Sequence, residues 1–323
     1  MKRGYKWIEK QIASLDPETD YEAIMSLVSA YMLDDFILNI AYVVNFINVV
    51  AAPHGADALM HTGKVVHHQQ KRFDDSIDFL LTWYLLGPSD PSVQQSVARL
   101  NKMHGAIARG IPESFRHNDD FLIALCLVAL FDDRLRRNLG LPGIPHHMKI
   151  VYHHWLRDLS KLFTTGTASG HIDDFPATFE GLEAFAIEFE SREYPSTENG
   201  HVAAEALINQ FVDRRFPRWK ALGRTIILVF TPERVRRVHR LGEPNRFLAP
   251  LVKLAFKVAF LLKEHVLPDP KETIIERKAK NDTLSPILKR LLHSTLPVGS
   301  HPSTGHTDIA DHPSTTNNME TRT

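Results

Sequence analysis

The stretch "GPSDPSVQQSVARLNKMHGAIARG", residues 87–110, decides the fold class. Val97, Leu100, His104, Ala108 and Ile111 recur at steps of three or four, the spacing of one face of an α-helix. The start is marked as well, with Asp90 placed to cap the first turn and Pro91 at the first helical position, where its missing N–H costs nothing. A helix over 91–110 is therefore expected. Its inward face carries one imidazole, His104, followed by Gly105, and glycine inside a helix costs about 1 kcal/mol relative to alanine.

The same helical period runs through the rest of the chain. Helices are expected over about 21–50, 54–66, 70–86, 119–138, 145–163, 176–192, 200–213, 217–229, 231–241 and 246–266, separated by Pro and Gly punctuation such as "GLPGIP" and "TPERVRR". Thr231 reads as a cap there, with Pro232 at the first helical position. The expected fold is all-α: one multi-helix domain over 1–270, a C-terminal extension over 271–293, and a disordered tail over 294–323. That last segment is rich in Ser, Thr, Pro and His and poor in large apolar groups.

The chain has 323 residues, and its 38 Lys and Arg balance 38 Asp and Glu. No global field would gather nucleic acid, so no nucleic-acid partner is expected. The single cysteine, Cys126 in "FLIALCLVALF", excludes intrachain disulfides and cysteine-rich zinc sites and reads as a reduced, buried thiol. The N-terminus lacks an apolar run long enough for a secretion signal or anchor. "FLAPLVKLAFKVAFLLKEHVL", 247–267, is interrupted by Lys253 and Lys257 and reads as an amphipathic helix lying against the protein or a membrane surface. A cytoplasmic protein, or one held peripherally at a membrane such as the endoplasmic reticulum, is expected.

Three chemistries compete. His104 is either a core histidine with a hydrogen bond or, since Gly105, Ala106 and Ala108 strip bulk from its surroundings, a haem ligand. One helix earlier, Arg72, Ser76, Leu80 and Trp83 form a stripe with Asp75 beside it, suited to a haem propionate or to bound oxygen. The same stripe equally fits a solvated Arg72 and a helix start in which Asp74, Asp75 and Ser76 complement the helix dipole. "DDSID", Asp74 to Asp78, also fits the aspartate-rich pattern that binds magnesium in all-α terpene synthases. The matching second motif, "NDTLSPILK" from Asn281, has Lys289 where an acidic ligand is required and is interrupted by Pro286. The histidine pairs His61/His68, His146/His153 and His147/His154 are seven residues apart, about 10.5 Å along a helix, too far to share an ion.

Seven motifs in order, "LDPETDYEAI" (15–24), "HTGK" (61–64), "KRFDDS" (71–76), "RLNKMHG" (99–105), "VYHHWLRDL" (151–159), "TPERVRRVHRL" (231–241) and "LLKEHVLPDP" (261–270), resemble the family that unites the fungal oxygenase MpaB with the rubber oxygenase, latex clearing protein, and its MpaB-like branch in particular. The resemblance spans about residues 5–270. It implies an all-α fold around a b-type haem and cleavage or oxygenation of a carbon–carbon double bond in a hydrophobic, isoprenoid-type metabolite by dioxygen. By position, His104 matches the axial iron ligand, Gly105 would clear room for the porphyrin, and Arg72 matches the pocket arginine. Ser76 stands where the family has threonine, and Asp75 matches the acidic residue before it. The rubber enzyme's distal lysine has no counterpart at that place. A magnesium-dependent terpene synthase and a non-catalytic haem- or lipid-binding protein remain the alternatives.

Overall fold

The computed structural model describes residues 4–111, 113–165, 170–281 and 284–293. Residues 294–323, expected as a disordered tail, lie outside these. The described residues form helices and no strand: α1 (Trp7–Ile12), α2 (Tyr21–Met32), α3 (Asp35–Val49), α4 (Pro53–His61), α5 (Lys64–His67), α6 (Gln69–Leu86), α7 (Pro91–Gly110), α8 (Asn118–Asn138), α9 (His146–Ser160), α10 (Phe179–Ser191), α11 (Glu198–Arg215), α12 (Lys220–Phe230), α13 (Glu233–Val238), α14 (Leu248–His265), α15 (Ile274–Lys280) and α16 (Pro286–His293).

The apolar run expected as one helix over 21–50 is two helices, α2 and α3, bent by 113° at Leu33–Asp34. Periodicity does not reveal the break, because both halves are apolar on the same period. The Asp34 carboxylate makes it, accepting hydrogen bonds from Phe36 N (2.8 Å) and Ile37 N (3.2 Å) and so starting a new helix. Likewise 54–66 divides at Gly63, whose φ of 66° ends α4. Thr231 does not cap α13. Its hydroxyl donates to Ile227 O (2.8 Å) in the preceding helix, and Pro232 holds the boundary position without a side-chain bond.

Two apolar clusters fill the interior, and Leu33 packs against both. One is built mainly by α2, α3, α6, α11 and α12, the other by α2 and α6 to α10. The stretch expected as an extension supplies Ile274, Ile275, Leu284 and Leu288 to the first. Cys126 is buried in the second, and burial pushes its thiol up to about 12, so it remains protonated. No single described helix is long and apolar enough to cross a membrane. The bent α2–α3 pair passes by composition, but Ile24, Ile40, Val43 and Ile47 within it are core residues.

Just past the bend, Asp35 pairs with Lys278 Nζ (2.9 Å) on α15 and with Arg214 (3.2 Å) and Arg215 on α11. Burial alone would raise its carboxyl, yet hydrogen bonds and charge from Lys278 and Arg215 outweigh burial and hold it below the usual carboxylate range. Because the folded-state value is depressed, this stabilisation is present above the unfolded value near 4 and is lost as pH falls from there through the lower folded-state value. Asp35→Asn should cost about 2 kcal/mol in urea unfolding at neutral pH, because it removes the carboxylate that three part-buried cations share. The difference from the parent should shrink below about pH 4.

Candidate functional site

The turn between α6 and α7 is fixed by Gly87, by the cap of α7 and by Glu22 from α2. Gly87 has φ 84°, and a Cβ there would lie 2.8 Å from the Glu22 carboxylate. That carboxylate accepts from Ser89 N (2.9 Å) and Ser89 Oγ (2.5 Å), while Asp90 caps α7 through Ser92 N (2.7 Å). Trp83 Nε1 donates to Ser96 Oγ (3.1 Å) in the buried interior and sets the register of the two helices. From this bond, Ser76 lies seven residues back along α6 and His104 eight residues on along α7.

His104 is half-buried, and its ring makes no hydrogen bond among the described residues; Nδ1 is fully enclosed and unpartnered. The expectation of a core histidine satisfied by a hydrogen bond is therefore not met. Burial pushes its pKa down to about 4, leaving a neutral imidazole with an in-plane lone pair at neutral pH. Phe115 lies flat on the ring with centroids 4.0 Å apart, and Phe121 approaches at 5.9 Å. Stacking covers a face of the imidazole and leaves its nitrogen edge. Phe115 and Glu113 hold left-handed backbone (φ 56° and 74°), a conformation costing roughly 1–2 kcal/mol for a residue with a Cβ. Ser114 Oγ anchors that turn on His54 O (2.9 Å). Beyond Phe121 the rings continue through Phe163 to Trp83, joining the two helices by an aromatic wall. At Gly105 an added Cβ would meet only Arg109 Nη1, at 4.0 Å, so the glycine borders open space.

Arg72 belongs to a second group. Its guanidinium lies over the Phe46 ring (4.4 Å to the centroid), donates to Tyr42 Oη (2.6 Å) and reaches Ser76 Oγ at 3.4 Å. Ser76 Oγ donates back to Arg72 O (2.9 Å). Arg72 has no carboxylate partner among the described residues, unlike Arg214 and Arg215 nearby. Tyr42 and Phe46, four apart on α3, were not singled out from sequence; their i, i+4 spacing was a signal, but nothing in it named Arg72 as the partner. Asp75 is not brought into this group. It faces outward and pairs with Lys71 (3.0 Å). Among the described residues no hydrogen bond joins Arg72 or Ser76 to His104.

The aspartates of "DDSID" diverge. Asp74 accepts from Gln70 (2.9 Å) and meets Arg214 (3.4 Å), Asp75 takes Lys71, and Asp78 lies half-buried against Ser285, with burial raising its carboxyl. No group of three or more His, Cys, Asp or Glu converges among the described residues. In the second motif Asp282 lies outside those residues, and Pro286 opens α16. Of the paired histidines, His153 bonds Pro176 O (2.8 Å) and His154 bonds Glu18 (2.6 Å).

Much of the remaining motif chemistry is consumed inside the fold. Tyr21 Oη donates to Asp158 (2.5 Å), a bond that raises the phenol to about 12 and ties "LDPETDYEAI" to "VYHHWLRDL". His239 bonds Ile47 O (2.9 Å), and Arg236 donates to Thr231 O (2.7 Å). Asn101, one turn before His104, donates to Leu162 O (2.8 Å) and accepts from Thr164 N (3.3 Å). A cavity of about 480 Å³ lies elsewhere, between α3, α8 and α12 to α14, lined by Asn45, Asn48, Leu127, Phe131 and Arg236 among others. None of the sequence-predicted site residues lines it. No protein-family model and no curated protein matches the chain.

The unpartnered imidazole has a cost that shows in stability. Its folded-state pKa is below the ordinary value near 6.5, so the unfolded chain takes up the proton first as pH falls and folding weakens from about 6.5 down to 4. In protein free of bound ligand, His104→Leu should therefore gain about 1 kcal/mol over the parent at about pH 5. The gain should be smaller at about pH 8, as read from thermal unfolding at the two pH values.

Proposed function

We propose that the chain is a haem-dependent oxygenase of the MpaB and rubber-oxygenase type, acting with dioxygen on a hydrophobic, isoprenoid-type metabolite. The observation that carries this reading is His104, a half-buried neutral imidazole whose ring nitrogens have no hydrogen-bond partner among the described residues. A buried polar atom left without a partner costs about 1–3 kcal/mol, and a metal–nitrogen bond is one way that cost is recovered. Two further observations support the cofactor's fit. Gly105 offers clearance next to the ligand, and Arg72 is a half-buried cation without a carboxylate, as a propionate-binding group requires.

His104 would hold the iron, and Arg72 would hold a propionate. When bound, haem b supplies the redox chemistry that oxygenates or cleaves a carbon–carbon double bond. The protein's own contributions follow from its side chains. Phe115 and Phe121 restrict rotation of the imidazole and exclude water from it. Tyr42 and Phe46 fix the direction of the Arg72 donors, and Ser76 keeps a hydroxyl beside them that can donate to an acceptor once it leaves Arg72 O. Asp75, paired with Lys71 on the outer face, has no part in this arrangement. The divergent aspartates of "DDSID" give the magnesium alternative no comparable support.

Absorption spectroscopy of protein produced with haem supplied tests the proposal. Soret absorbance should appear and should vanish in His104→Ala. Arg72→Ala should weaken haem retention about tenfold or more, the worth of a charge-assisted hydrogen bond of about 1.5–3 kcal/mol. A prenyl test substrate should then drive oxygen consumption and incorporation of labelled oxygen. A colourless protein that takes up no haem overturns the proposal, and bound haem with no oxygen uptake across a panel of prenyl substrates leaves a binding protein rather than an oxygenase.

A further inference from the structure

The helix α14 is about 27 Å long and packs inward through Val252 and Phe256, which meets Phe36 and Phe230. Its outward residues at steps of three or four are Phe247, Leu251, Leu254, Val258, Leu261 and Leu262, with exposures from 36% to 68%. Pro250, Ala255 and Ala259 fill the same face, so from Phe247 to Leu262 it carries no polar or charged side chain. Val266 and Leu267 continue the exposed apolar surface past the helix end. Monomeric soluble proteins rarely expose a continuous stripe of this kind, and where they do it marks a contact surface.

We propose that this face of α14 is a peripheral docking surface for an anionic lipid bilayer, with the helix lying in the plane of the headgroups and its apolar side chains inserted. Charge complementarity selects that occupant. Lys253 and Lys257 sit on one flank, Lys253 exposed and Lys257 with its ammonium on Gly140 O (3.4 Å), and the exposed Arg246 lies against the Phe247 ring at the amino end (4.6 Å). The carboxylates nearest in sequence are neutralised, Glu243 by Arg236 (2.7 Å) and Glu264 by Arg136. The rim is therefore basic around an uncharged stripe, the pattern of an in-plane amphipathic helix. At the carboxyl end, Tyr5 Oη donates to the carbonyls of His265 (3.0 Å) and Val266 (2.9 Å), placing an exposed phenol beside the stripe at interfacial depth. The surface stands independently of the haem reading.

Co-sedimentation of the full chain with phosphatidylcholine vesicles, with and without phosphatidylserine, tests it. The parent should partition onto serine-lipid vesicles more strongly than onto neutral ones. The double variant Leu251→Glu, Leu254→Glu should lose binding by about tenfold or more while keeping the parent's unfolding temperature, because both side chains are exposed. Lys253→Ala with Lys257→Ala should lose roughly tenfold on serine-lipid vesicles and little on neutral ones. Absence of vesicle binding by the parent, or binding unchanged in the leucine variant, overturns the proposal. So does a parent that binds no vesicle and forms a dimer in light scattering that the leucine variant dissolves, which would assign the face to a second copy.

Discussion

The bend at Leu33–Asp34 is the constraint on which the rest of the molecule depends. An uninterrupted helix over the same residues would run about 45 Å and could bury only one stripe against one layer. Turned by 113°, its halves serve different layers: α2 packs against α6 and α9, and α3 against α8 and α11. Two adjacent acidic residues hold the bend by different means. Asp34 starts the second helix through backbone N–H groups, and Asp35 ties it to α11 and α15 by charge. The same bend sets α3 beside α6, which lets Tyr42 and Phe46 meet Arg72.

His104 and Arg72 differ from many polar groups in the motifs, although Nδ1 of His154 and Nε1 of Trp155 are also enclosed without a partner among the described residues. Tyr21, Asp158, His153, His239 and Asn101 all find partners within the chain, and each bond joins elements distant in sequence. These residues hold helices in register. Among the described residues the His104 imidazole has no hydrogen-bond partner, and the Arg72 guanidinium meets a phenol, a hydroxyl and a phenyl ring but no carboxylate. Arg72 lies on α6 and His104 on α7, the two helices that the Trp83–Ser96 bond joins.

The all-α class, the start of α7 at Asp90 and Pro91, and the burial of Cys126 were legible in the sequence because each rests on local rules: helical periodicity, a cap geometry two residues long, an apolar neighbourhood. The amphipathic character of 247–267 was legible for the same reason. Local rules could not say that α2 and α3 are separate helices, that Thr231 bonds backward, or that Asp75 points away from Ser76. In a helix, neighbouring residues diverge by about 100°, so a motif that reads as contiguous letters delivers its side chains to different partners. Which partner each one meets depends on elements tens to hundreds of residues away.

The sequence by itself determined where helices form and which residue types stand on each face, since both follow from spacing along one chain. Tertiary structure alone decided which polar groups are satisfied. It bound His153 to Pro176 O and Nε2 of His154 to Glu18, sent the aspartates of "DDSID" to separate partners, and left the Nδ1 atoms of His104 and His154 enclosed without a partner among the described residues. It also left the outer face of α14 uncovered. The physical reason is the same in each case: hydrogen bonds, ion pairs and burial are contacts between segments, and sequence spacing specifies directions within a segment but not what stands opposite.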